Sequence, residues 1–343
     1  MAISQLKNYA SSKVFPNLIL YGPTGTGKSA AARVFAEQIL EDTFHSNYKN
    51  LNIRDIRNYP VTKAKRNIKK IAKLSRDERS ELDEYMSIVF REAKAARKLR
   101  GESGNPNRSQ LVHEAISLFA STITVSDELV KILVLDEADA LDNNMQQALR
   151  RTMEIYSDAT RFIFITPSLS GWNPAIVSRC LVVKFRAGSI DVLRDLVQDI
   201  AKKENVEVDE SGINAIARQS KGDFRRAINL LQVSASVGRP VDEDIVYEYS
   251  ETLLDSEIRE IVSLSLAGKF IKARNKIRSL LALEGYSPQK VILAIQAEVV
   301  NRPFENDVIS KALKQIAEID FRMTQARNPF IQLEALLASF GNL

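Results

Sequence analysis

The sequence feature that most constrains the fold is a glycine-rich run at residues 22–29, which lies between an apolar run and an Ala-rich helical stretch. Its glycines let successive backbone N–H groups turn inward around a polyphosphate, Lys28 reaches the terminal phosphates, and the Ser29 hydroxyl can bind Mg²⁺. The pattern predicts a strand, a phosphate-binding loop and a helix, with a nucleoside triphosphate as ligand. The alternative is a flexible glycine loop without a ligand. The loop residues are Gly22, Pro23, Thr24, Gly25, Thr26, Gly27, Lys28 and Ser29.

A second motif follows a later run, residues 131–135, which is typical of a strand covered on both faces. The run ends in Asp136 and Glu137, at the strand end where a nucleotide site would lie. We expect Asp136 to hold Mg²⁺ and Glu137 to polarise the water that attacks the γ-phosphate. A strand followed by an acidic helix N-terminus is the alternative interpretation.

Composition and charge narrow the class of protein. The chain has 343 residues, enough for two or three domains, and we find no signal-peptide pattern and no apolar run of 18 residues. We therefore expect an intracellular protein. Its one cysteine, Cys180, cannot form an internal disulfide, and its two histidines stand apart from it, so a zinc site is not expected.

The net charge of +5 is concentrated in one segment. Residues 62–110 contain 14 Lys and Arg against 7 Asp and Glu, a balance of +7, whereas the rest of the chain has 34 against 36, a balance of −2. A local excess of this kind indicates a polyanionic partner more specifically than the total charge does.

The order of apolar runs predicts an α/β domain followed by helices. Five runs suit a parallel sheet with helices on both faces. No comparable run follows Ser189, so we expect a nucleotide-binding domain over 1–187, a helical lid over 188–244 and an all-α domain over 245–343. The expected strands are Leu18–Tyr21, Asn50–Ile53, Lys131–Asp136, Arg161–Thr166 and Leu181–Phe185.

A long stretch at about 55–110 separates the second and third expected strands. Helical periodicity predicts a hairpin of Thr62–Leu74 and Arg76–Arg100 that projects from the domain, with a capping box at Ser75 and Glu78. We expect Gly101 to end the second helix and a mobile loop to follow it as far as Ser109.

Six motifs in this order resemble replication factor C small subunits, in particular the archaeal form of these AAA+ sliding-clamp-loader ATPases. The resemblance covers the whole chain except the stretch at about 55–110, and its last motif lies in the oligomerising collar of that family. Besides the phosphate loop, the motifs are LVLDEADAL (133–141), QQALRRTME (146–154), Ser178-Arg179-Cys180, GDFRRAINLLQ (222–232) and FRMTQARNPFIQLEALLA (321–338).

The resemblance implies a pentamer with ATP sites between subunits, and it assigns roles to several arginines. Arg179 matches the finger that reaches the γ-phosphate bound by a neighbouring subunit. Arg225 matches the arginine that senses the subunit's own nucleotide. Arg150 and Arg151 are candidates for facing DNA phosphates in the central channel, because they lie just after the acidic motif on a predicted helix. For each of these arginines, a solvated or salt-bridged surface residue is the alternative.

Three departures from the family pattern qualify these roles. Pro167 stands where the family usually has a polar sensor residue, so we expect slow or absent hydrolysis unless Ser168 substitutes in part. The chain begins inside the first helix of the family, which predicts weaker adenine recognition or a misassigned start. The stretch at 55–110, with candidates Arg97, Lys98 and Arg100, could contact DNA, contact a partner subunit, or be a solvated arm.

The leading hypothesis is a clamp-loader ATPase subunit that uses ATP and Mg²⁺ to load a PCNA-type sliding clamp onto primer–template DNA during replication. Its implied partners are a large subunit, other small subunits, the clamp and DNA, and no membrane. The implied location is the cytoplasm, at the nucleoid, or the nucleus in a eukaryote. The alternatives are a nucleotide-binding but poorly hydrolysing structural subunit and a stand-alone AAA+ DNA-remodelling ATPase.

Overall fold

The computed structural model describes residues 2–12, 15–70, 80–122, 130–250, 253–282 and 286–341. Two compact units divide the chain: the first comprises Met1–Ile200 and Ser220–Asn229, and the second comprises Ala201–Gln219 and Leu230–Leu343. No helix of the described residues is both long enough and apolar enough to cross a membrane.

A parallel five-stranded sheet forms the centre of the first unit, in the order β2-β3-β4-β1-β5. All five expected strands are confirmed, with ends shifted by at most two residues. The side chains of a strand alternate between faces, so Leu18 and Leu20 lie in one apolar core and Ile19 in the other. The strands are β1 Asn17–Tyr21, β2 Tyr48–Asn52, β3 Lys131–Asp136, β4 Thr160–Thr166 and β5 Cys180–Lys184.

Helices cover both faces of this sheet, as the sequence predicts. Leu6 and Phe35 belong to the core on one face, and Met86, Leu111 and Leu149 belong to the core on the other. The helices that begin in the first unit before residue 200 are α1 Ala2–Ser12, α2 Lys28–Leu40, α3 Phe44–Asn47, α4 Ile53–Asn58, α5 Val61–Lys70, α6 Glu81–Leu99, α7 Arg108–Ser121, α8 Asn143–Ile155, α9 Pro174–Val177 and α10 Ile190–Glu204.

The remaining helices come after β5 in the chain. Those from Leu253 onward enclose an apolar core of their own. Apart from the isolated bridge between Val208 and Val241, the described residues after 189 contain no strand pairing, as expected. These helices are α11 Glu210–Gln219, α12 Phe224–Ala235, α13 Glu243–Ser250, α14 Leu253–Leu266, α15 Phe270–Ala282, α16 Pro288–Asn301, α17 Asn306–Gln325 and α18 Pro329–Phe340.

The prediction that the hairpin at 62–100 projects from the domain is wrong. Phe90 is 1% exposed and lies in the same core as Leu133 and Leu135 of β3. The apolar stripe of α6 is therefore buried against the domain. α7 packs beside α6 and contributes to the same core.

The ends of α6 agree with the sequence at one side and differ at the other. Gly101 ends the helix as predicted: its φ is +74°, and the N–H of Glu102 donates to the Arg97 carbonyl at 3.0 Å. At the N-terminal side Ser80 is extended and α6 starts at Glu81, later than Arg76. The predicted capping box, Ser75 and Glu78, lies outside the described residues. The loop after Gly101 is shorter than expected, because α7 begins at Arg108.

A buried lysine joins the sheet to α7. Lys131 is 1% exposed at the start of β3, and its ammonium donates to the carbonyls of Phe119 (2.8 Å), Ala120 (3.1 Å) and Thr122 at the end of α7. Burial lowers the pKa of this ammonium. The lysine therefore satisfies carbonyls that the helix end leaves without an intrahelical donor.

Candidate nucleotide-binding and hydrolysis site

The phosphate loop connects the carboxyl end of β1 to the N-terminus of α2. Gly25 and Gly27 have φ angles of +70° and +82°, which favour glycine. A Cβ at Gly25 would lie 1.9 Å from Oδ1 of Asp223, so a larger residue would displace the Asp223 side chain or the loop. The Phe224 N–H fixes the approach by donating to the Gly25 carbonyl at 3.0 Å.

Lys28 is the first residue of α2 and is 8% exposed. Its ammonium donates to the carbonyls of Gly22 and Pro23 at 2.7 and 2.5 Å. Burial lowers the pKa of Lys28, Asp136 acts in the opposite sense, and Arg225 adds to the lowering. The side chain thus places a positive charge inside the curve of the loop, which suits a polyphosphate.

Ser29 and Asp136 come together although 107 positions separate them. The Ser29 hydroxyl donates to Oδ2 of Asp136 at 2.7 Å. The strand order explains this contact. β1, which leads into the loop and Ser29, and β3, which ends at Asp136, lie on either side of β4 and end at the same edge of the sheet. A hydroxyl beside a carboxylate is an oxygen donor set that fits Mg²⁺.

Glu137 follows Asp136 in a left-handed conformation, with a φ of +49°. Its N–H donates to Oδ1 of Asp136 at 2.8 Å. A non-glycine residue in this region is strained, and such strain is concentrated at functional sites. The conformation holds the two acids in a fixed relation at the end of β3.

Sequence reasoning missed Arg54, which pairs with two acids of the same motif. Its Nε lies 3.2 Å from Oε2 of Glu137, and its Nη2 donates to Oδ2 of Asp139 at 3.0 Å. Arg54 lies on α4, directly after β2, and β2 is the neighbour of β3. A basic residue directly after a predicted strand was a usable signal for a residue at this edge of the sheet. Its pairing with Glu137 and Asp139, however, depends on the strand order.

A cleft of 440 Å³ unites the phosphate loop with these acids and lies within the first unit. Its volume falls in the range of small-molecule sites, about 300–1,000 Å³. Arg225 lines it, as its expected role requires, and so do Thr166, Phe224, Ile228 and Asn229, which sequence reasoning did not single out. Among the described residues that line the cleft, Arg179 is absent.

Pro167 also lines this cleft, directly after β4. Hydroxyls close to it are already engaged: Thr166 donates to the Ser168 carbonyl at 2.8 Å, and the Ser168 hydroxyl accepts from the Ser170 N–H at 3.0 Å. The position therefore presents an apolar ring to the cleft.

The remaining arginine candidates lie on α8 and on the turn before β5. Arg150 and Arg151 are exposed on α8. Arg179 donates from Nη1 to the Ala175 carbonyl at 2.7 Å, and its Nη2 lies 2.9 Å from Oε1 of Glu154.

The insertion candidates differ in how much they are engaged. The Arg97 side chain is 17% exposed, pairs with Glu102 at 3.0 Å and donates to Gln110 at 2.9 Å, so it ties the end of α6 to α7. Lys98 is exposed, and Arg100 lies 3.8 Å from Glu102.

Protein-family models match three successive parts of the chain. Residues 2–165 match an AAA ATPase domain, residues 195–236 match the lid domain of AAA+ ATPases of the RCF1/5-like type, and residues 253–339 match the replication factor C C-terminal domain. With the parallel sheet, the phosphate loop and the acidic strand end, these matches define the chain as an AAA+ ATPase.

Curated relatives resolve the family within that class. The chain is 31% identical to replication factor C small subunit 1 of Pyrobaculum aerophilum, over 98% of this chain and 88% of the relative. It is 32% identical to the small subunit of Methanococcus maripaludis strain S2, over 99% and 92%. The chain belongs to the replication factor C small-subunit family of clamp-loader ATPases, which acts in DNA replication, and archaeal relatives dominate the matches.

A solved structure supports the fold alone. The ORC1 protein of Aeropyrum pernix, in complex with DNA, aligns with a TM-score of 0.52 at 19% identity, over 93% of this chain and 82% of that one. Membership of the AAA+ class implies nucleotide binding, and membership of the family implies a multi-subunit complex that acts with a clamp and DNA.

Proposed function

We propose that this clamp-loader subunit binds ATP with Mg²⁺ in the 440 Å³ cleft and hydrolyses it within a ring-like pentamer that loads a PCNA-type clamp onto primer–template DNA. The contact that carries the proposal is the 2.7 Å hydrogen bond between Ser29 and Asp136, because it joins the phosphate loop to the acidic strand end. Neither motif alone would define a hydrolytic site.

The residues of the cleft divide the chemistry between them. Lys28 and the loop N–H groups bind the phosphates, and Arg225 contacts the nucleotide of the same subunit. Ser29 and Asp136 hold Mg²⁺, which when bound neutralises charge that develops on the phosphates. Glu137 orients and polarises the attacking water, and water can reach its Oε2 only when the pair with Arg54 opens.

The test is ATP turnover by the complex assembled with its partner subunits, with and without clamp and primed DNA. Glu137→Gln should abolish the stimulated part of the turnover attributable to this subunit and leave nucleotide binding intact. Asp55→Asn is the matched control, because Asp55 is an exposed acid on α4 that does not line the cleft. Stimulated turnover that survives Glu137→Gln would contradict the assignment.

We further assign Arg179 to the ATP site of a neighbouring subunit. Its absence from the described lining of its own cleft and its partial exposure, 38% of the side chain, support a role in trans. Arg179→Ala should leave nucleotide binding by the isolated chain unchanged and lower turnover of the complex, by about 10³-fold or more at the affected site. An equal loss of both would contradict action in trans.

The proposed DNA-contacting residues are Arg150, Arg151, Lys98 and Arg100. Their exposure allows phosphate contact, which releases counterions and makes affinity depend on salt. We do not include Arg97 among them, because its guanidinium already pairs with Glu102 and Gln110.

A second candidate function rests on Pro167. Its ring offers no N–H or polar side chain to hold the attacking water, and the neighbouring Thr166 hydroxyl is engaged with Ser168. In this alternative, bound nucleotide is a permanent structural element and the chain supplies Arg179 to its neighbour. Tight nucleotide binding with turnover that is insensitive to Glu137→Gln would favour this function over the first.

A further inference from the structure

Two arginines share one carboxylate oxygen on the surface of the first unit. Oε1 of Glu154 lies 3.1 Å from Nε of Arg150 and 2.9 Å from Nη2 of Arg179. Glu154 lies in the last turn of α8, one turn beyond Arg150, whereas Arg179 lies on the turn that precedes β5. The carboxylate thus links α8 directly to that turn.

The contacts fix the plane of the Arg179 guanidinium. Nη1 is held by the Ala175 carbonyl at 2.7 Å and Nη2 by Glu154, so the two terminal nitrogens have separate anchors. A guanidinium has five N–H donors, and these two anchors leave others available to a phosphate. An exposed arginine without such anchors would sample many rotamers, and ordering it during catalysis would cost entropy.

We propose that Glu154 is a positioning residue for Arg179 and that Arg150, by competing for the same oxygen, couples DNA contact to that positioning. The inference rests on the proposed function, in which Arg179 acts in trans and Arg150 faces DNA phosphates. When Arg150 turns to a phosphate, Glu154 keeps a single cationic partner, and its hold on Arg179 becomes stronger. DNA binding would then stabilise the conformation in which Arg179 reaches the ATP site of the neighbouring subunit.

Arg151 provides a matched control for Arg150. It is the next residue on α8 and is also exposed, and among the described residues it has no ion pair with Glu154 or any other acid. Both substitutions to Ala remove one positive charge that could face DNA. Only Arg150→Ala removes the competitor for Oε1.

The experiment measures ATP turnover of the reconstituted full-length complex at saturating ATP, without DNA and with saturating primer–template duplex. Glu154→Gln keeps the size of the side chain and removes its charge. It should lower DNA-stimulated turnover about two- to fivefold, the range expected for an exposed ion pair, and leave ATP binding by the isolated chain unchanged. Arg150→Ala should reduce the ratio of stimulated to unstimulated turnover even at saturating DNA, whereas Arg151→Ala should weaken DNA binding and keep that ratio.

A double substitution separates positioning from a merely structural role. If Glu154 acts through Arg179, Glu154→Gln should cause no further loss in the Arg179→Ala background. A further loss of the same size as in the native background would overturn the proposal, because Glu154 would then act by another route. Circular dichroism melts of each variant check that the exposed substitutions leave the fold intact.

The outcomes distinguish this inference from the function on which it rests. Full turnover in Glu154→Gln, together with a large loss in Arg179→Ala, would overturn the positioning role and leave the trans role standing. Full turnover in Arg179→Ala would overturn both.

Discussion

At the scale of single residues, the ion pair between Arg54 and Glu137 engages the acid to which we assign water activation. Nε of Arg54 lies 3.2 Å from Oε2 of Glu137, and the arginine side chain is 54% exposed. A carboxylate that is engaged by a guanidinium accepts a weaker hydrogen bond from the O–H of a water molecule. In the proposed function, the pair would therefore oppose hydrolysis while it persists.

Removing Arg54 should release Glu137. We expect Arg54→Ala to raise DNA-independent turnover of the assembled complex about two- to fivefold, a range set by the modest energy of exposed ion pairs. Lys65→Ala is the control, since it removes another exposed positive charge, on α5, without touching the acids. Turnover that falls in Arg54→Ala would show that the arginine assists the chemistry instead.

The close approach at Gly25 leads to a second residue-scale prediction. Gly25→Ala would place a methyl group 1.9 Å from Oδ1 of Asp223 at a φ of +70°, so the Asp223 carboxylate or the strained loop must shift, and nucleotide affinity should fall at least about tenfold, about 1.4 kcal/mol. Gly171→Ala is the control: its φ is +81°, but a Cβ there meets open space. It should cost about 1 kcal/mol of stability through backbone strain and retain affinity. Equal affinities for the two variants in a fluorescent-nucleotide titration would contradict the argument.

At the scale of elements, α6 is part of the core of the first unit although its charge suggests an arm. Phe90 is 1% exposed and Leu99 is 90% exposed on the same helix. Phe90→Ala should lower the free energy of unfolding of this unit by about 3–5 kcal/mol, because it removes a large buried side chain and leaves a cavity. Leu99→Ala should change it by less than about 0.5 kcal/mol. Urea denaturation followed by circular dichroism measures both, and similar values would restore the projecting arm.

The fate of α6 shows where sequence reasoning succeeds and where it stops. The five strands and the phosphate loop were predictable, because apolar runs and glycine spacing are local properties of the chain. The apolar stripe of α6 was also local, but the partner of that stripe was not. Arg97 and Lys98 are adjacent basic residues that the sequence does not distinguish. Only the fold reveals that Glu102 and Gln110 engage Arg97.

Within the site, the residues of each motif could be predicted, and the contacts between motifs could not. Ser29 and Asp136 were assigned to one metal ion from their motifs, and the strand order brings them together. Arg54 and Glu154 were not predicted, because an exposed arginine or glutamate on a helix carries no local sign of its partner. Their partners lie on other elements, Glu137 after β3 and Arg179 before β5.

At the scale of the whole molecule, the positive charge of the 62–110 segment should appear in the salt dependence of DNA binding. Neutralising Lys98 and Arg100 together should lower the slope of log affinity against log salt by about one to two units, roughly one for each phosphate that the variant no longer neutralises. Lys311 and Lys314, exposed on α17, provide a control with the same change of charge. Fluorescence anisotropy with primed DNA at several salt concentrations measures the slopes. Equal slopes in both double variants would assign the segment to a partner subunit or to solvent.

The buried ammonium of Lys131 has a consequence for chemical labelling of the molecule. An amine-reactive reagent needs an accessible, neutral amine, and this one is 1% exposed and donates to carbonyls at the end of α7. Lysines on the surface, such as Lys98, should react in the native state, whereas Lys131 should react only in molecules whose α7 has separated from β3. Mass spectrometry of the Lys131 peptide during a labelling time course would therefore measure the fraction of molecules in which the nucleotide-binding unit has opened.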